Sequence, residues 1–109
     1  MELQISVLSK RAALGNPLPG TTRVYVGRPS ALGNPFAMAE EADRARVVRQ
    51  YRDWLRQRYS ERGPERAELE RLLQLSQAGP LELVCWCAPL ACHADVIREA
   101  LLGMHAARS

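Results

Sequence analysis

The sequence predicts a small α/β domain with a mostly parallel sheet, and three features of its patterning carry that prediction. Leu3, Ile5 and Val7 alternate with polar residues, the period of a half-buried strand. Thr21–Gly27 is β-branched and aromatic, and Leu81–Cys87 is nearly continuously apolar; both are bounded by turn residues, as strands are. Between and after them the apolar spacing changes to that of helices.

The elements come in order along the chain. The first strand is expected at about 2–8, and Gly15-Asn16-Pro17-Leu18-Pro19-Gly20 then reads as turn chemistry. A second strand spans about 21–27 and runs into Arg28–Phe36, a loop with two prolines and flanking glycines. A helix over about 39–60 is marked by Val47, Val48, Tyr51, Trp54, Leu55 and Tyr59, with Glu40, Glu41 and Asp43 where the helix dipole favours acids. Gly63-Pro64 ends it and opens another, about 64–78, with Pro64 at the first helical position and Leu69, Leu72, Leu73 and Leu75 on its apolar side. After Gly79-Pro80 comes the strand at about 81–87, then a helix over about 92–102. Gly103 is expected to stop that helix and leave a frayed tail at 104–109, with His105 solvated. The order is β-β-α-α-β-α. Helices joining the second and third strands favour a parallel pairing of the two. Trp54, Trp86, Tyr51 and Tyr59 are expected in the core. So few strands leave room for a second copy to complete the sheet as a homodimer.

Composition sets the class. A chain of 109 residues, 47% hydrophobic and 25% charged, forms one domain (1–109) with a core of its own. The start is acidic, without a secretory pattern, and no apolar run is long enough for a membrane span. Three cysteines within Cys85–Cys92 suit thiols in a reducing compartment, so a cytoplasmic location is expected. The net charge is +3, and residues 1–36 carry Lys10, Arg11, Arg23 and Arg28 against Glu2 alone. That imbalance suits a phosphate-bearing ligand or nucleic acid; drift toward arginine would produce it too.

In open parallel sheets ligands bind beyond the carboxyl ends of the strands. The loops Arg28–Phe36 and Ala88–Leu90 both leave such ends, so the segments 27–36 and 85–95 are expected to share one rim. In the first, Gly33 lets backbone approach a ligand, Arg28 offers a fork of donors, Asn34 donates and accepts, and Phe36 stacks or anchors. A rigid connector would use the same residues. The second segment, Cys85-Trp86-Cys87-Ala88-Pro89-Leu90-Ala91-Cys92-His93-Ala94-Asp95, admits three readings. Cys85, Cys87, Cys92 and His93 have the ligand types of a zinc or iron site. Alternatively, a Cys92 thiolate at the helix start and His93 act as nucleophile and acid/base, with Asp95 capping the helix or orienting His93. In the third, Cys85 and Cys87 are buried hydrophobes, and Cys92 and His93 brace the helix.

Val24-Tyr25-Val26-Gly27-Arg28-Pro29 with Leu32-Gly33-Asn34-Pro35-Phe36, then Tyr51-Arg52-Asp53-Trp54-Leu55, then Cys85-Trp86-Cys87-Ala88-Pro89 with Cys92-His93-Ala94-Asp95, resembles the bacterial and phage family called domain of unknown function 4326. The likeness covers about residues 22–102; before that, Ser9-Lys10-Arg11 stands against a basic stretch of the family. The Cys-x-x-x-x-Cys-His portion also looks like that of domain of unknown function 488. The resemblance implies that both segments belong to one shared unit and brings no settled activity. Two functions are open on these grounds. One is binding or acting on a nucleotide, modified nucleoside or nucleic acid, with Lys10, Arg28, Gly33, Asn34 and Phe36 holding the ligand. The other is a non-enzymatic interaction module stabilised by a cysteine/histidine metal clip.

Overall fold

Leu81, Leu83 and Cys85 alternate along the third strand, and all three are fully buried. That strand is the centre of the sheet. In the computed structural model, which describes residues 2–13, 15–86 and 92–108, β1 (Ile5–Ser9), β2 (Thr22–Tyr25) and β3 (Leu81–Cys85) form a three-stranded sheet in the order β1-β3-β2. Both pairings are parallel, with Ile5 and Thr22 each opposite Leu81. The parallel sheet agrees with the fold class expected from the sequence.

Register partners in a parallel pair share a face. One face therefore carries Ile5, Val7, Thr22, Val24, Leu81, Leu83 and Cys85. It packs into a single core with Tyr51, Leu55, Leu69, Leu72, Leu73, Ile97 and Leu101 from the helices. The other face carries Ser6, Leu8, Arg23, Tyr25, Glu82 and Val84, and neither Leu8 nor Val84 joins the helical core. Among the described residues the helices thus cover one side, giving two layers. On the open side Arg23 Nε donates to Glu82 Oε1 at 2.8 Å, and its Nη1 donates to the carbonyls of Ala13 at 3.3 Å and Gly15 at 2.7 Å. One arginine ties the β1–β2 connection to the sheet.

The helical layer differs from expectation at its ends. Glu41–Asp43 is a short 3-10 turn, and α1 proper is Arg44–Ser60, five residues later than expected at its start. It ends as Arg62 enters the left-handed region, at φ 58°, before Gly63. α2 is Pro64–Ala78, as read from the sequence. Gly79 then passes so close to the Gly20 carbonyl that a Cβ would sit 2.6 Å from it. That contact excludes a larger residue at Gly79.

α3 spans His93–Arg108 and runs straight through Gly103. The expected stop and frayed tail are therefore corrected. A glycine inside a helix costs only about 1 kcal/mol, and packing on both sides of it offsets that. Leu102 and Met104 lie against the core, and Arg108 reaches Glu70 of α2 at 2.6 Å. His105 is part of this helix, half-buried, with Nδ1 3.4 Å from Gln77 Nε2. Among the described residues no helix is long and apolar enough to cross a membrane.

Candidate functional site at the carboxyl end of the sheet

Beyond the carboxyl ends of β2 and β3 lies a cleft of about 410 Å³, within the range of small-ligand sites. Its walls come from four places: Tyr25, Gly27 and Arg28 at the end of β2; Asn34, Phe36 and Met38 in the following loop; Arg44, Val47 and Val48 in the first turns of α1; and Trp86, Cys92 and His93 around the β3–α3 corner. The two segments singled out in the sequence therefore meet at one rim, as their topology requires.

The loop is braced from within. Arg28 Nε donates to the Asn34 carbonyl at 2.6 Å and Nη2 donates to the Phe36 carbonyl at 3.2 Å. The Asn34 side-chain oxygen accepts from the Phe36 amide at 2.8 Å, a local turn bond of the kind asparagine favours. Gly33 does not face the cleft. A Cβ there would press on Arg28 Cα and N at 3.0 Å, so Gly33 lets the loop fold against the arginine backbone. From below, the Tyr51 hydroxyl donates to the Leu32 carbonyl at 2.7 Å. Burial holds that hydroxyl far above the ordinary tyrosine pKa, so it remains a donor. The Arg28–Pro29 peptide is cis.

His93 is 7% exposed, and its ring meets Tyr51 edge-on at 5.2 Å between centroids. Its Nε2 lies 2.8 Å from the Val26 carbonyl. A carbonyl only accepts, so Nε2 carries a proton. Burial pushes the imidazole pKa down and Arg28 adds to that, against the Val26 carbonyl and Asp95, which raise it. The ring is neutral at pH 7, and Nδ1 is then a bare acceptor. Asp95 accepts from the Cys92 amide at 2.9 Å. This is the returning half of a capping box, with Cys92 as the residue before the helix. Asp95 lies outside the cleft lining, so its contact is structural and its effect on His93 acts through space.

The electrostatics lean one way. Arg28 and Arg44 line the cleft and no carboxylate does, among the described residues. Arg44 is paired with Glu41. Arg28 has no carboxylate partner among the described residues, and neither has Lys10 at the mouth. Lys10 Nζ lies 4.7 Å from the Tyr25 ring centroid and 5.1 Å from that of Trp86. Trp86 is 58% exposed, which overturns the expectation of a core tryptophan. It forms part of the cleft lining instead. Trp54, in contrast, packs on Tyr51 at 5.4 Å.

Of the four candidate metal ligands, Cys85 and Cys92 are buried with sulfurs 2.9 Å apart, and His93 Nε2 is committed to Val26. Cys87, like the Ala88–Leu90 loop, lies outside the described residues. Among the described residues no group of three cysteine, histidine or acidic side chains is arranged to hold a metal ion. Sequence reasoning missed Tyr25, Met38, Arg44, Val47 and Val48 as lining residues. The signal available for the last three was topological, since a helix entered from the β2 loop presents its first turns to the rim.

A two-layer α/β domain with a cationic cleft at its strand ends is thus the class this chain defines. It belongs to the family described as domain of unknown function DUF4326, whose model matches residues 8–103. No significant match was found among curated proteins or solved structures.

Proposed function

We propose that the cleft binds a nucleotide, or a nucleotide unit of a modified nucleoside or nucleic acid. One observation carries this reading: among the described residues the cleft is lined by Arg28, which has no carboxylate partner, by aromatic side chains and by no acid, with Lys10 against the rings of its Tyr25 and Trp86. A phosphate fits Arg28 and Lys10, helped by the positive ends of α1 and α3, whose first turns form two of the walls. A base fits against Phe36 and Trp86, with the Asn34 amide to orient it. If the protein acts on its ligand, Cys92 and His93, with its unprotonated Nδ1, are the lining residues with the chemistry of nucleophile and base.

The test uses the Trp54→Phe variant, in which Trp86 is the remaining indole. Titration with nucleoside monophosphates is expected to change Trp86 emission and raise the melting temperature. Arg28→Ala is expected to weaken binding by about 1.5–3 kcal/mol, roughly ten- to a hundredfold. Nucleic-acid binding would in addition fall steeply with salt. No response to any nucleotide, or full affinity in Arg28→Ala, would overturn the reading.

The competing reading, an interaction module held by a cysteine/histidine metal clip, draws on the adjoining sulfurs of Cys85 and Cys92. It requires a stoichiometric metal whose loss in Cys92→Ser unfolds the protein.

A further inference from the structure

Cys85 ends β3 on the helix-covered face and is fully buried. Cys92 is 3% exposed, immediately precedes α3 and forms part of the cleft wall. Their sulfurs are 2.9 Å apart. Thiols in such contact need only about a further ångström of closure to reach the covalent distance of about 2.05 Å. The two positions also differ in a useful way. One cysteine belongs to the cleft lining and sits at a helix start, where a thiolate is favoured. The other lies directly behind it, shielded by the core.

We propose that Cys85 and Cys92 form a redox-active pair, oxidised to an internal disulfide by a small disulfide of the glutathione type and restored by thiols. The Cys92 thiolate attacks one sulfur of the small disulfide, whose S–S bond breaks. A thiolate leaves and takes up the proton that Cys92 lost. The Cys85 thiolate then attacks Cys92 Sγ, displacing the second small thiolate, which takes the proton from Cys85. Two protein thiols are oxidised and one small disulfide is reduced to two thiols. The cleft wall loses its thiol, while the Asp95 cap on the Cys92 amide is untouched.

The experiment treats the full chain with oxidised glutathione under native conditions. It then traps remaining thiols by alkylation and reads mass and fragmentation. The expected product lacks two hydrogens and is alkylated at Cys87 alone; Cys87→Ser oxidises in the same way. Cys85→Ser is expected to stop at one glutathione on Cys92. Should that variant not fold, early time points of the wild type are expected to show glutathione on Cys92 before any on Cys85. A disulfide that includes Cys87, stable glutathione adducts without an internal bond, or oxidation only after unfolding would each overturn the pair. So would a bound metal, one per chain, that must be removed before oxidation. The readout is covalent and involves no nucleotide, so it stands or falls apart from the binding reading.

Discussion

Compared with each other, two hollows of similar size among the described residues differ in what their charges are doing. The strand-end cleft, about 410 Å³, holds Arg28 and has Lys10 beside it, neither with a carboxylate partner among the described residues. The other, about 500 Å³, runs between the helices past Leu55, Leu69, Val96 and Met104. There two of the three lining arginines are engaged: Arg52 meets Glu99, itself in the lining, at 3.1 Å and Arg108 meets Glu70 at 2.6 Å. The larger hollow is thus a seam between helices, closed at its edges by ion pairs. The smaller one keeps donors in reserve at the end of a parallel sheet. Volume alone would have ranked them the other way, and charge accounting separates them.

If the helical seam is core, shortening it must cost stability and leave the cleft alone. Leu69, 1% exposed in the seam, is expected to cost about 2–5 kcal/mol as Leu69→Ala. Chemical denaturation would show the loss, while the folded fraction still binds nucleotide with unchanged affinity. Tyr51→Phe sharpens the comparison from the cleft side. It removes the donor to the Leu32 carbonyl at about 1–3 kcal/mol, and loosening of the Arg28–Phe36 loop should appear as faster amide exchange there.

A smaller effect comes from His93. Its folded pKa lies below the ordinary value of 6.5. Above about pH 6.5 both folded and unfolded chains hold a neutral ring, and the contribution is fully present. As the pH falls, the unfolded chain takes up the proton more readily, so stability is lost through the depressed folded value. His93→Gln keeps a donor for Val26 and cannot titrate. Its melting temperature is expected to fall less than that of the wild type between about pH 7 and about pH 5. Smallest of all, Arg52→Ala breaks an exposed pair and is expected to cost under about 1 kcal/mol, with no change in nucleotide affinity. A large effect on binding would mean that the helical seam, too, has a ligand.

Much of the fold was legible because local signals agreed with one another. Pro64 and Gly79 bracket α2, and β3 announced itself by an apolar run between turn residues. Gly103 misled because a helix tolerates one glycine when distant contacts such as Arg108 with Glu70 hold its last turn in place. Trp86 misled because hydrophobicity alone does not say whether a side chain at a strand end points into the core or into a cleft. Topology was enough to bring Arg28 and Asn34 to the same rim as Cys92 and His93. The finer chemistry was not legible. That Arg28 spends two donors on its own loop, and that His93 hands its proton to a carbonyl 67 residues away, are facts of three-dimensional packing with no local trace.

The sheet's middle strand is the last of the three in the chain. β1 and β2 have no bond to each other and must wait for residues 81–85 before either gains a partner. On a ribosome the early strands would emerge as solitary ribbons, and assembly would be held back until most of the polypeptide was available. Such dependence on remote pairing slows folding. It also means that an amino-terminal fragment ending before β3 should fail to form the sheet, however well formed its individual helices.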